Sequence, residues 1–210
     1  TAIAFFMLTG ELMTSATIPD RLVSLSRALI GRIRGGLAQV NVVVSMCLSG
    51  MNGSEVADTA RVGALVLPAM KKAGYPAAFS AAVTGVSSTI GGIIPPSIMM
   101  IVLANSTEIS IASLFAAGII PGVLIGVVIM IINHYFAIKY NFERSDESFS
   151  IRRAGKELYR SSFALLIPLV LVGSVMGGVA SVVEAGAITA MVALLTGVFV
   201  YRTIKWKDCT

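Results

Sequence analysis

Two stretches of this chain are almost devoid of charge, and they constrain its fold more than any other feature. Between Ala73 and Ile138 the only formally charged residue is Glu108, and between Ser161 and Tyr201 the only one is Glu184. A helix crossing the hydrocarbon core of a bilayer needs about 20 mostly apolar residues, and both runs exceed that length. Charged residues make up 13% of the chain against 56% hydrophobic ones, where a soluble domain carries about 25% charged. The sequence therefore predicts an all-α integral membrane protein.

The net charge of +5 is distributed in a way that points to a membrane and away from nucleic acid. The sixteen Lys and Arg fall in four clusters: Arg21 to Arg34, Arg61 to Lys72, Lys139 to Arg160, and Arg202 to Lys207. Basic clusters beside apolar spans mark cytoplasmic loops. An orientation with all sixteen on one side is self-consistent. Cys47 and Cys209 are isolated thiols, which suggests neither a disulfide framework nor a zinc site. The abrupt ends, "TAIAFFMLTGELM" and "KWKDCT", read as cuts in a longer polypeptide.

Residues 1–13 read as the end of a membrane helix. Over 14–36, Leu22, Leu25, Leu29 and Ile33 recur at helical spacing with Arg interleaved, which predicts an amphipathic helix in the cytoplasmic interface. Residues 37–70 hold the polar knot "SGMNGSEVAD" between two apolar arms, flanked by Arg32 and Arg34 before and Lys71 and Lys72 after. If both flanks are cytoplasmic, the segment enters the membrane and returns, a re-entrant hairpin with its tip at "GMNGS". Over 71–107 a small-residue helix is interrupted by "IGGIIPPS". Its two prolines remove backbone donors and push Ile94 out of helical geometry, predicting a discontinuous membrane helix. Further spans are expected over 111–138, 161–180 and 182–201, with a cytoplasmic loop over 139–160.

Non-helical backbone at membrane depth is tolerated only where it is buried in protein or lines a wet cavity. Transporters use such breaks to bind ions: unwound carbonyls suit Na⁺, and half-helix N-termini suit a carboxylate. The two breaks here supply hydroxyls, an amide oxygen and glycine backbone, which predicts one Na⁺ site between them. Glu55 and Asp58, three apart, either bind ions or cap the following helix. Glu184 starts a span, where capping is the simpler role, and His134 has no second ligand in view. No His or paired-Asp constellation accompanies the serines, so an enzyme is not expected.

"GRIRGGLAQVNVVVSM", "GSEVADTARVGALVLPAMKKAGY", "IIPPSIMMIVLA", "SLFAAGIIPG" and "VVEAGAITAMVALLTG" together resemble the large membrane subunit of tripartite ATP-independent periplasmic (TRAP) transporters. The resemblance runs along most of the chain but covers about half of such a subunit. It implies an elevator-type fold, of which this chain would hold one inverted repeat and the start of the next. It also implies a Na⁺-coupled importer of a carboxylate-bearing solute (a C4-dicarboxylate, sialic acid or keto acid) in the bacterial inner membrane. No organic cofactor is implied; Na⁺ is the coupling ion. The implied partners are a small four-helix membrane subunit and a periplasmic substrate-binding protein. By motif, Ser49, Asn52, Gly53 and Ser54 match the hairpin tip, and Thr89, Gly91, Gly92 and Pro95 match the unwound helix; together these are the implied Na⁺ ligands. Asn52, Ser54, Pro96, Ser97 and Asp58 are the implied solute contacts. The family's hairpin usually reads Ser-Gly-Ser where this chain has Asn52-Gly53-Ser54, and Gly92 stands where Pro is common. A binding-protein-independent Na⁺/carboxylate elevator transporter or exchanger is the alternative.

Overall fold

The structure, a computed structural model, describes residues 2–31, 33–142 and 151–201. Arg32, residues 143–150 of the expected loop and the basic cluster 202–207 lie outside the described residues, as do the side chains of residues 49–52. Every regular element among the described residues is helical: α1 (Ala2–Ser15), α2 (Ile18–Ile30), α3 (Gly36–Asn52), α4 (Glu55–Lys72), α5 (Ala77–Ser88), α6 (Ile98–Thr107), α7 (Ile111–Lys139), α8 (Ile151–Met176) and α9 (Val182–Leu195). Among the described residues three segments are long and apolar enough to cross a membrane: Ile111–Lys139, Gly155–Met176 and Val182–Phe199.

α7 is the clearest span. Its 29 residues rise about 43 Å at 1.5 Å each. Its outward face is bare hydrocarbon, with Ile120 75% and Ile131 64% exposed. That would be costly in water but suits lipid. Its inward face carries Gly118, Gly122 and Gly126, one per helical turn, and each meets a neighbour where a Cβ would stand. Gly118 faces the Ile93 carbonyl and Met100, Gly122 faces Ile94, and Gly126 faces the Met46 sulfur. Small residues at this spacing let backbones approach closely where lipid gives no hydrophobic drive for helix association. Gly118, Gly122 and α7's own continuity through Pro121 thus seat the irregular segment after α5 against this helix.

α3 and α4 fold back on each other across a two-residue turn, Gly53–Ser54, and both pack on α5. α5 tightens into a 3-10 turn at Thr89–Gly92, runs irregularly through 93–97 and restarts as α6. Proline explains the irregular stretch, since neither Pro95 nor Pro96 has an N–H to give a helix. α2 lies on α3 and α8. Leu22 and Leu25 of its expected stripe are buried, whereas Leu29 and Ile33 are 49% and 44% exposed. The buried face is completed instead by Ile18, Val23 and Ser26.

Two expectations change. Residues 151–160 of the expected loop are already helical, as the start of α8. Lys156, Glu157 and Arg160 are therefore carried on this helix, where Arg160 and Glu157 pair at 3.6 Å. Arg61 does not sit beside the other basic residues at the end of its helix. It lies inside α4, its side chain 18% exposed, and pairs with Glu11 of α1 at 3.0 Å. A neighbouring carboxylate is what an arginine among apolar helices requires.

The glycine ridge on α7 gives a direct check. Gly118→Ala places a methyl against the Ile93 carbonyl, a backbone atom that cannot rotate away, and is expected to cost about 1–3 kcal/mol. Gly85→Ala meets nothing within 4 Å and is expected to be neutral or slightly stabilising. Thermal unfolding of the two detergent-solubilised variants reads the difference.

Candidate functional site at the crossing of two chain breaks

The turn between α3 and α4 rests on the irregular segment between α5 and α6. Gly53 sits at φ 59, a left-handed conformation open to glycine at little cost. Its carbonyl accepts a hydrogen bond from the Ile98 N–H at 3.2 Å. A Cβ on Gly53 would stand 2.7 Å from the Ile98 nitrogen and 2.8 Å from the Pro96 oxygen. Two backbones touch here, and only glycine permits it. At Gly92 a Cβ would overlap the Glu55 carboxylate, so the first side chain of α4 reaches across to the 3-10 turn.

Serines hold both helix starts beside this contact. Ser54 accepts from the Ala57 N–H at 3.4 Å and caps α4. Ser97 accepts from the Met100 N–H at 3.4 Å, caps α6, and donates to the Gly92 carbonyl at 2.9 Å. The Ser97 hydroxyl therefore ties the two ends of the broken helix together. Pro95, Pro96 and Gly91 are buried around it, and the Pro95–Pro96 peptide is cis. Four helix ends meet at one place: the C-terminal ends of α3 and of the 3-10 turn, and the N-terminal ends of α4 and α6. Such ends carry partial negative and partial positive charge respectively.

Most of the sequence-predicted positions converge here. Gly53, Ser54, Gly92, Pro96 and Ser97 are linked by the contacts above, and Ser49 and Asn52 occupy the last turn of α3. Asp58 is fully buried in the first turn of α4. Thr89 is the exception. It is exposed, and its hydroxyl donates back to the Val86 carbonyl at 2.7 Å. It continues the outward face of α5, with Ala78, Ala82 and Val86 exposed at three- and four-residue spacing before it.

One turn and more below the tip lies a buried polar network that the sequence does not single out. Asn41 donates to the Thr84 hydroxyl at 2.7 Å, Ser87 donates to the Asn41 amide oxygen at 3.3 Å, and the Ser45 and Ser87 hydroxyls pair at 3.0 Å. All four are buried. Its one local signal lies in "VNVVVS" and "TGVSS", where polar residues interrupt apolar arms at three- and four-residue spacing. The network pins α3 to α5, and so pins the turn to the segment it touches. Glu184 is accounted for by capping: it and Ser181 form a reciprocal pair at the start of α9. Among the described residues no group of His, Cys, Asp and Glu is arranged to hold a metal ion.

The family model for the DctM component of tripartite ATP-independent periplasmic transporters matches residues 1–210. The chain belongs to that family. Among curated relatives, it is 34% identical over 208 residues to the C4-dicarboxylate TRAP transporter large permease protein DctM of Pseudomonas aeruginosa, covering 99% of this chain and 48% of that protein. It is 36% identical to the 2,3-diketo-L-gulonate TRAP transporter large permease protein YiaN of Escherichia coli, covering 98% and 48%. It is 34% identical to the sialic acid TRAP transporter large permease protein SiaM of Vibrio cholerae, covering 97% and 47%. The chain spans about half the length of the curated relatives it matches. These relatives are named as transporter permeases and not as enzymes.

The network makes a quantitative prediction. Thr84→Val and Asn41→Leu are each expected to cost about 0.6–1.7 kcal/mol, the range for hydrogen bonds between membrane helices. The double variant is expected to cost less than their sum, since both remove the same bond. Denaturant midpoints of the four proteins in one detergent measure the cycle.

Proposed function

We propose that this chain is part of the large permease subunit of a Na⁺-coupled TRAP importer, and that the crossing of the two breaks is its first ion site. The observation that carries this reading is the contact of the Gly53 turn with residues 96–98, which brings four helix ends to one buried point. The C-terminal ends of α3 and of the 3-10 turn present carbonyls suited to a hard cation, and hydroxyls of Ser54 and Ser97 lie beside them. The N-terminal ends of α4 and α6 present N–H groups suited to the carboxylate of a solute. One crossing thus supplies ligands of both signs, so cation and anion binding reinforce each other.

In this reading Ser49, Asn52, Gly53, Ser54, Gly91, Gly92 and Pro95 surround the ion, Ser97 lies between ion and solute, and Pro96 and Asp58 lie on the solute side. Thr89 contributes through its backbone, because its exposed hydroxyl is bonded back to Val86. The solute is a carboxylate-bearing organic anion, in keeping with the substrates named for relatives: a C4-dicarboxylate, a sialic acid and a diketogulonate. α3 and α4 form a re-entrant hairpin that enters and leaves the membrane on the basic side and moves, elevator-fashion, with α5 and α6. The whole protein sits in the bacterial inner membrane with a small four-helix subunit, and a periplasmic binding protein delivers the solute.

Uptake into proteoliposomes tests this. The full transporter with its binding protein is expected to accumulate solute only with an inward Na⁺ gradient. Gly53→Ala, which drives a methyl into the Pro96 carbonyl and the Ile98 amide, is expected to lower that uptake at least tenfold. Uptake without Na⁺ would overturn the coupling, and uptake without any binding protein would favour a stand-alone carboxylate transporter. Cysteines introduced at Ile33 and Lys72 are both expected to react with an impermeant maleimide from the cytoplasmic side. Labelling from opposite sides would refute the re-entrant path.

A further inference from the structure

At the basic end of the molecule, a cavity of about 500 Å³ opens between the α4–α5 turn and the end of α7, lined by Lys72, Gly74, Pro76, Tyr140, Asn141 and Phe142. Gly74, at φ 80, leaves open space where a side chain would stand. Around the cavity runs a belt of rings. Tyr75 and Phe142 lie 4.5 Å apart between centroids, Phe79 and Phe142 5.2 Å, and Phe136 and Tyr140 5.9 Å. Tyr75 and Phe142 are buried, while Tyr140 is exposed at the rim, the amphipathic placement that tyrosine takes at the headgroup level of a bilayer.

Among the described residues the charge around the cavity is one-sided. Lys71, Lys72 and Lys139 are all exposed, and none has an ion-pair partner among the described residues. The Lys139 ammonium lies 5.8 Å from the centre of the Tyr140 ring, while Lys72 and Tyr140 both line the cavity. Two cations with no ion-pair partner among the described residues thus share one aromatic wall, a combination that attracts anionic headgroups at a membrane surface. Lys139 also continues an exposed stripe on α7 formed by Ile131 and Tyr135, one helical turn apart. A headgroup held at Lys139 would leave its acyl chain lying along that stripe.

We propose that this cavity seats the phosphate of an anionic phospholipid, with Lys72 and Lys139 as its counter-charges and Tyr140 as its wall. The ligand is a lipid and not free phosphate, because the cavity joins an apolar stripe that a free anion has no use for. The site stands apart from the crossing of the two breaks and does not depend on which solute is carried.

The test uses the full transporter purified from nanodiscs containing phosphatidylcholine and phosphatidylglycerol, with bound lipid read by native mass spectrometry. The wild-type protein is expected to retain phosphatidylglycerol selectively. Lys72→Gln/Lys139→Gln is expected to lose it severalfold, and Tyr140→Ala, which keeps both charges, to lose it partly. Lys156→Gln, a basic residue on α8 away from the cavity, is expected to retain it. Equal retention by the wild type and the double variant would overturn the site. An equal loss in Lys156→Gln would overturn it too, by showing that only net charge matters. Displacement of the lipid by inorganic phosphate at comparable concentration would show that the acyl chain adds nothing, and would overturn the lipid assignment.

Discussion

The contact between the Gly53 turn and the start of α6 is the constraint on which the rest of the arrangement depends. It is a backbone-to-backbone approach, secured by one hydrogen bond from the Ile98 N–H, and it demands the same of both partners. The turn must be glycine, since any side chain would strike residues 96–98. The broken helix must present an unwound stretch, since a continuous helix would have no N–H to spare. The prolines supply the unwinding, and Ser97 repairs it on its own side by bridging to Gly92. The α7 glycines then let that irregular stretch lie close against a long helix whose other face is apolar and exposed.

Two kinds of polar chemistry surround this contact, and they do different things. The network of Asn41, Ser45, Thr84 and Ser87 lies between helices, each side chain meeting another of the set. It acts as a pin, in a medium where apolar surface gives helices no reason to prefer one another over lipid. At the crossing, by contrast, the polar groups are helix ends, whose charge is a property of the backbone and not of any one side chain. A substitution in the first set changes how firmly the two breaks are held together. A substitution in the second changes the shape of the site itself.

Much of this is legible in the residues, for reasons that can be named. Spans show because charge is so costly in hydrocarbon that its absence over 111–138 all but dictates a membrane. The breaks show because Gly and Pro alter the backbone whatever surrounds them. What does not show are features set by pairing across the fold. Nothing local to Asn41 says that Thr84 will face it, and nothing local to Arg61 says that Glu11 will neutralise it from α1. Thr89 departs from expectation for a subtler reason. Its neighbours in the motif are backbone and cap groups whose place is set by the break, whereas its own side chain follows the register of α5, whose outward face at Ala78, Ala82 and Val86 it continues.

The serine caps have a consequence for how such a site would respond to its ion. Ser54 and Ser97 already commit one lone pair each to the N–H that begins their helix, and Ser97 commits its proton to Gly92. An ion drawing on either oxygen must share it with the cap. Occupancy and the order of the first turns of α4 and α6 are then two readings of the same variable. The site would be no preformed cup. It would be a joint whose stiffness records whether anything is held in it.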